Sequence, residues 1–490
     1  MSIGQKILGG ASWSFLGNAG TQITNFIVFM VLARLLSVRD FGLFGMVLVV
    51  MGFVSALSNL GFHSALVQRD EVQDSDWSTL FWFSMVFGTF VSLATLGMSW
   101  PVAWFYGDAR VQPLLAVMAF QFLISSANGT HQAMLSREMD FKFLSKMNIV
   151  AELLSGFVAV GLALVGFGIW SLVAKAMMYD VTRGAMLWVR QSWRPSWTFD
   201  FGMLRENSRY SSGFFKDNLI HMWSRQADNL FVGRFLGSEA LGFYTRAYTV
   251  MLMPLRQTQA VASKVMFSGL SRLQHDPAQV RETYLKGLSI VVLIGFPSLF
   301  GLNVVARDFL VTFYGEKWLG ALYILQILCL AGSMEMLTHS TRWLFLSMGR
   351  SDWLARWTIV TGSILTGGFA LGVWFGSVAH LSFIYAILSC LVFPIPAFLL
   401  IRRLVGLSPW EVVRRVGPLV ICSGVMAAVV WCLGNLILPS DWPSWLRLIL
   451  QIATGAGVYV SLIVGLRMRV YVEARAYLAQ RRAGNTSQTT

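Results

Sequence analysis

Charge is scarce in this chain of 490 residues: Asp, Glu, Lys and Arg make up only 13%, against 56% hydrophobic residues. So few polar groups could not coat a soluble globule of that length, so that class is excluded and lipid is the expected solvent. Cysteine is sparse too. The four present, Cys329, Cys390, Cys422 and Cys432, all fall in apolar segments without metal-ligand spacing, which excludes a disulfide framework and leaves packing as their expected role. There is no GxGxxG loop, no P-loop and no HExxH site, so nucleotide binding and metal-dependent hydrolysis have no motif to rest on. No catalytic residue, metal or organic cofactor is expected. Acidic residues are outnumbered, 24 against 38 basic, for a net charge of +14. In a membrane protein such an excess marks the cytoplasmic face, and nucleic acid is not expected as a partner.

Long apolar runs are abundant. Segments of about 20 residues span a bilayer core of roughly 30 Å. Fourteen such segments are expected, from one beginning near Ser12 to one beginning near Trp445. The first, Ser12 to Leu36, is too long and too polar for a secretion signal, with Asn18, Thr21, Gln22 and Asn25 interrupting it, and is expected to be retained as a span. The fold class is therefore all-α integral membrane. With the amino terminus inside, most Lys and Arg fall on the cytoplasmic face, and only Lys175, Arg225, Arg246 and Arg256 lie within span interiors.

The chain also repeats itself. ARLLSVRDFGLF, from Ala33 to Phe44, returns as GRFLGSEALGFY from Gly233 to Tyr244, and Phe105-Tyr106-Gly107 returns as Phe313-Tyr314-Gly315. Each copy holds the same place in the hydropathy pattern, the mark of a carrier built from two homologous bundles. The expected division is an amino-terminal lobe of six spans over 1–190, a cytoplasmic linker over 191–210 and a carboxyl-terminal lobe of six spans over 211–403. An appended pair follows over 404–468, with a cytoplasmic tail over 469–490. An even number of spans per lobe makes the repeats parallel, around a central cavity. Two inner segments, Gln191–Tyr210 and Ser271–Lys286, are long enough for surface helices, the second capped by Asp276 with Pro277 in its first turn. Pro254, Gly295, Pro297, Gly301, Pro394 and Pro396 are candidate bends.

Three stretches, VQRDEVQDSDWSTLFW from Val67, RQADNLFVGRFLGSEALGFYTRAY from Arg225 and FSGLSRLQHDP from Phe267, resemble the polysaccharide transporter family. They are most similar to its colanic-acid-exporter type, a relative of the O-antigen flippases in the multidrug, oligosaccharidyl-lipid and polysaccharide exporter superfamily. The resemblance implies two six-helix lobes that carry an undecaprenyl-pyrophosphate-linked oligosaccharide from the inner to the outer leaflet of the bacterial cytoplasmic (inner) membrane. Its implied partners are that lipid-linked oligosaccharide and membrane lipids, with polysaccharide polymerase machinery as a candidate and a monomer as the favoured state. The family has no short catalytic signature, so it transfers no site residue.

The residues themselves point to polar stripes. In span seven Asp217, His221, Arg225 and Asp228 follow one another at helical spacing and share a face. A lone charge at mid-bilayer costs on the order of 3 kcal/mol, so this face is expected to turn toward protein or water. Asn18 and Asn25 of span one occupy equivalent positions in the first repeat, and Arg246 and Arg256 lie on one face of span eight. Guanidinium forks suit phosphate oxygens, which makes Arg225, Arg246 and Arg256 candidates for a pyrophosphate head group, with Asn18, Asn25, Asp217, His221 and Lys175 as further substrate contacts. Self-pairing of Arg225 with Asp217 or Asp228 is the structural alternative. Asp228 and Glu335 are candidates for a coupling proton or sodium ion. Glu152, Asp180, His131 and His339 are further buried candidates. Trp13, Trp77, Trp100, Trp104, Trp318 and Trp445 are expected in the interfacial belt, while Tyr179, Trp223 and Tyr244 are candidates to stack on sugar, with ordinary helix packing the favoured alternative. Rival readings are an organic-cation exporter, disfavoured by the arginines, and a membrane-embedded glycan polymerase or ligase, disfavoured by the short outer loops.

Overall fold

The computed structural model describes residues 3–58, 62–69, 71–469 and 472; side chains of 3–12, 15, 64, 68, 203, 206–221, 224–225, 260–262 and 264–265 lie outside that description. No strand occurs among the described residues. Helices α1 (Ile3–Leu35), α2 (Val38–Ser58), the short α3 (Phe62–Gln68) and α4 (Asp74–Tyr106) come first. They are followed by α5 (Val111–Met118), α6 (Phe120–Arg137), α7 (Phe141–Leu164) and α8 (Trp170–Arg190). The long α9 (Phe201–Arg272) precedes α10 (Pro277–Phe313), α11 (Leu322–His339), α12 (Thr341–Ser347) and α13 (Ser351–Trp374). Then come α14 (Val378–Ile387), α15 (Pro394–Val405), α16 (Pro409–Cys432) and α17 (Ser444–Gly465). Among the described residues, 11 helical stretches are long and apolar enough to cross a membrane, and the protein is a multi-pass membrane protein. The expected spans in α8 and in the two halves of α9 are helical but fall outside that set; α8 carries Lys175, Asp180 and Arg183 in one stretch.

The chain forms two compact units, Met1–Gly242 and Phe243–Thr490. They part inside α9, downstream of the 191–210 linker. Sequence repetition becomes backbone repetition here. Ser37 separates α1 from α2, and its counterpart Gly237 (φ 85°) is the non-helical break inside α9. Gly107 (φ 68°) ends α4 as Gly315 (φ 94°) follows α10; Met139 and Gly349, then Gly166 and Gly376, repeat the left-handed turn at nearly the same offset. A left-handed residue ends a helix abruptly by turning its last amides back onto free carbonyls, so these paired positions set where each copy reverses direction.

Within the amino-terminal unit, α1 packs on α7 through small residues. A Cβ on Gly17 would fall on Ser145, and one on Gly156 would fall on Val28, so both glycines set a close backbone approach of the kind that substitutes for hydrophobic driving force in lipid. The repeated segments meet reciprocally. A Cβ on Gly42 would fall on the Ser238 carbonyl, and one on its counterpart Gly242 on the Val38 carbonyl. In the carboxyl-terminal unit α17 docks on α10: Gln451 donates to Asp308 at 3.0 Å, Arg447 lies 3.4 Å from the same carboxylate, and the Tyr459 hydroxyl donates to the Leu293 carbonyl at 2.9 Å.

Several expectations change. Residues 191–200 are non-helical, pinned to α4 by Ser196 bonded to Ser78 and by Trp197 stacked on Trp82 at 4.2 Å. Asp276 does cap a helix, accepting from the Ala278 and Gln279 amides with Pro277 in the first turn. That helix is α10 itself, so Ser271–Lys286 is no separate surface helix. Trp77 and Trp318 are buried, Trp318 completely, packed against Phe243 and Tyr314. Trp13, Trp100, Trp104 and Trp445 are exposed as a belt requires. Around Pro394 the backbone widens into a π-turn over Leu388–Val392, the usual way a helix absorbs a residue that cannot donate.

Candidate functional site

A face of α2 carrying Met51, Gly52, Ser55 and Ser58 stands opposite a face of α6 carrying Gln121, Ser125, Gly129, Gln132 and Ser136. The α6 positions recur every three or four residues and present one continuous strip of Ser, Gln and Gly, while α2 adds Ser55 and Ser58 beside Met51 and Gly52. Ser84 and Gly88 of α4 and His63 of α3 stand at the sides, Phe62, Phe83, Phe87 and Phe122 supply apolar lining, and the cavity, open to the surface, measures about 840 Å³. That is near the top of the ordinary range for ligand pockets, roughly 300–1,000 Å³. Two glycines keep it open or closely built: a Cβ on Gly88 would fall on Ser126, and one on Gly129 would approach the His63 ring at 2.7 Å.

Among the described residues, none lining the cavity is an Asp, Glu, Lys or Arg. Its polar surface is hydroxyl and amide, plus the His63 imidazole, whose Nε2 is buried with no hydrogen-bond partner among the described residues. The charges stand one layer behind. Gln121 donates to Asp180 at 2.6 Å, Gln132 accepts from Arg183 at 2.8 Å, and Arg183 lies 3.8 Å from Asp180, so one ion pair on α8 orients both wall amides. Asn128 donates to the Asp180 carbonyl at 3.2 Å, and the Arg183 guanidinium lies over the Tyr179 ring at 5.5 Å. A carboxamide with one end tied to a fixed charge has its other end oriented for a ligand.

The residues predicted from sequence fall elsewhere. Side chains of Asp217, His221 and Arg225 lie outside the described residues. Asn18 and Asn25 are exposed on α1 and do not line the cavity. Lys175 is taken up by Glu152 on α7, at 2.6 Å, with the carboxylate 5% exposed. Asp228 is buried and accepts from the Asn229 amide at 2.7 Å. In the carboxyl-terminal unit Arg246 sits beside the Tyr314 hydroxyl and Arg256 is exposed. Glu335 is held at both oxygens, by the Tyr385 hydroxyl at 2.8 Å and His339 at 2.9 Å. Tyr244 is fully buried, Trp223 packs on Phe53, and His131 is enclosed by Phe81, Trp188 and Trp193. Sequence reading missed the Ser/Gln strip of α6 and Arg183. The strip was visible as a period of three and four, hidden because its members are neutral and a search for buried charge passes over them.

Residues 31–323 match the family described as polysaccharide biosynthesis protein. The chain is 26% identical to the teichuronic acid biosynthesis protein TuaB of Bacillus subtilis, over 94% of this chain and 96% of that one. It is 26% identical to the lipopolysaccharide biosynthesis protein WzxC of Escherichia coli, over 72% of each. Identity with the succinoglycan biosynthesis transport protein ExoT of Rhizobium meliloti is 25%, over 75% of this chain and 74% of that one. Among solved structures, the fold is similar to an inward closed conformation of the lipid II flippase MurJ, with a TM-score of 0.72 at 12% identity, covering 92% of this chain and 99% of that one. An inward-facing multidrug resistance MATE family transporter of the MOP superfamily has a TM-score of 0.65 at 15% identity, covering 79% of this chain and 94% of that one.

Proposed function

The chain belongs to the polysaccharide biosynthesis protein family, and from that membership we propose that it is a flippase for lipid-linked oligosaccharides, carrying undecaprenyl-pyrophosphate-linked repeat units from the inner to the outer leaflet. The observation that carries the reading is the cavity of about 840 Å³ in the amino-terminal unit, whose polar lining among the described residues is hydroxyl, carboxamide and one imidazole beside aromatic rings. A neutral sugar presents many hydroxyls and no charge. Serine hydroxyls and carboxamides can satisfy them as donor or acceptor without the cost of burying an unpaired ion. Among the described residues, an organic cation would find no carboxylate on this wall.

In this reading the glycan occupies the cavity while its prenyl chain remains in lipid, and alternating access exposes the glycan to each face in turn. Arg225, Arg246 and Arg256 remain the candidates for the pyrophosphate, and Glu335, with its His339 and Tyr385 partners, for a coupling proton. Asp228 is the second candidate for a coupling ion. The membrane is the bacterial inner membrane, with fourteen spans in two homologous six-span halves plus a final pair, and both termini in the cytoplasm.

The test is export from cells in which the protein is replaced by Gln121→Leu/Gln132→Leu at matched membrane abundance. Losing two oriented hydrogen-bonding groups at about 1 kcal/mol each predicts roughly a tenfold or greater fall in surface polysaccharide. Lipid-linked units should accumulate on the inner leaflet. Undiminished export would remove the cavity from the route, and transport of cationic dyes by vesicles that ignore lipid-linked sugar would replace the reading altogether.

A further inference from the structure

On the carboxyl-terminal unit, α13 and the α14–α15 span form a hairpin closed at Gly376 and open at the other end. Trp353, Arg356, Trp357 and Val360 share one face of α13 by their helical spacing. On α15, Pro396, Leu400 and Arg403 do the same, and the two faces bound a groove of about 520 Å³. Its ends differ in chemistry. Arg403 lies in the last turn of α15 and Arg356 in the second turn of α13, so both guanidiniums stand at the open end of the hairpin. Val360 and Pro396 lie toward the closed end, and Trp357 meets the Phe393 ring at 6.4 Å along the way.

Arg356 and Arg403 are both exposed and neither has a carboxylate partner among the described residues. Arg350 adds a third cation at the same end, over the Trp353 ring at 5.6 Å. Cations at one end, tryptophan beside them and aliphatic walls beyond are the complement of a lipid with an anionic head. A groove of this size admits a glycerophosphate head and the upper part of its chains.

We propose that this groove binds a resident phospholipid of anionic headgroup. Its phosphodiester bridges Arg356 and Arg403, and an acyl chain lies along Trp357, Val360 and Leu400. The site is separate from the serine- and glutamine-lined cavity and does not depend on the transport reading.

The experiment uses the full-length protein in phosphatidylcholine nanodiscs, supplemented in separate arms with phosphatidylglycerol, more phosphatidylcholine, inorganic phosphate or undecaprenyl phosphate. Retained lipid is read by native mass spectrometry and stability by the thermal midpoint. Phosphatidylglycerol should be retained and raise the midpoint in the parent and in Arg402→Gln, a cation of the same helix that does not line the groove. Each of Arg356→Gln and Arg403→Gln should weaken its binding about fivefold, the worth of one cation near an anionic lipid. The single variants keep the test intact if the double variant fails to fold. The proposal is overturned if phosphatidylcholine does as well, if the single variants bind phosphatidylglycerol like the parent, if inorganic phosphate alone reproduces the effect, or if undecaprenyl phosphate outcompetes phosphatidylglycerol.

Discussion

Lys175 shows how an ion at lipid depth is accommodated. Its ammonium meets Glu152 at 2.6 Å and both side chains are largely withdrawn from the surface, so the pair is neutral as a whole. Removing one partner strands the other. Glu152→Ala is expected to cost about 3–5 kcal/mol, whereas Glu152→Leu with Lys175→Met should lie much nearer the parent. Thermal unfolding of the purified variants checks this, and an unchanged midpoint for Glu152→Ala would return Lys175 to the substrate candidates. Arg183 is the complementary case. In sequence it is one more cation near a span end, yet it ties down Gln132 and faces Asp180. The i,i+3 spacing suggests the Asp180 pairing, but no spacing rule reveals Gln132, which comes from a different helix. The buried candidates Glu152, Asp180 and His131 were legible as polar residues in apolar runs; which neighbour satisfies each was not.

At the scale of helices, the internal repeat was legible as sequence and proves to be a repeat of turns. Its identities cluster where geometry is least forgiving, at Gly42 and Gly242 on opposing carbonyls and at the left-handed Gly107 and Gly315. Elsewhere any apolar residue of similar volume serves, and the copies drift apart. Gly42→Ala should destabilise by about 1–3 kcal/mol, since the added methyl meets backbone that cannot rotate away. Gly97→Ala, on the same measure, meets nothing within 4 Å and should be close to neutral. A comparison of detergent melting curves separates the two. Span ends were harder to read: α10 extends from Pro277 without a break, because a capped amphipathic first turn and an apolar continuation have the same helical period.

For the molecule as a whole, the excess of basic residues makes an orientation prediction. A carboxyl-terminal green fluorescent protein fusion should fluoresce and an alkaline phosphatase fusion at the same point should be inactive, both reporting a cytoplasmic terminus. The reverse pattern would invert every leaflet assignment in the transport reading. Composition by itself determined that this chain is helical and lives in lipid, since a backbone in hydrocarbon must satisfy its own hydrogen bonds and an apolar surface this large has no aqueous alternative. Repetition pointed to a chain built from two copies of one plan, and the resemblance of three segments pointed to the right family. Only the tertiary structure decided where the polar interior lies. Neutral serine and glutamine side chains become a cavity wall when α2 and α6 face each other, and charged side chains become supports when α7 and α8 supply their partners. Those pairings join residues far apart in the chain, and their energies depend on distances that no local pattern encodes.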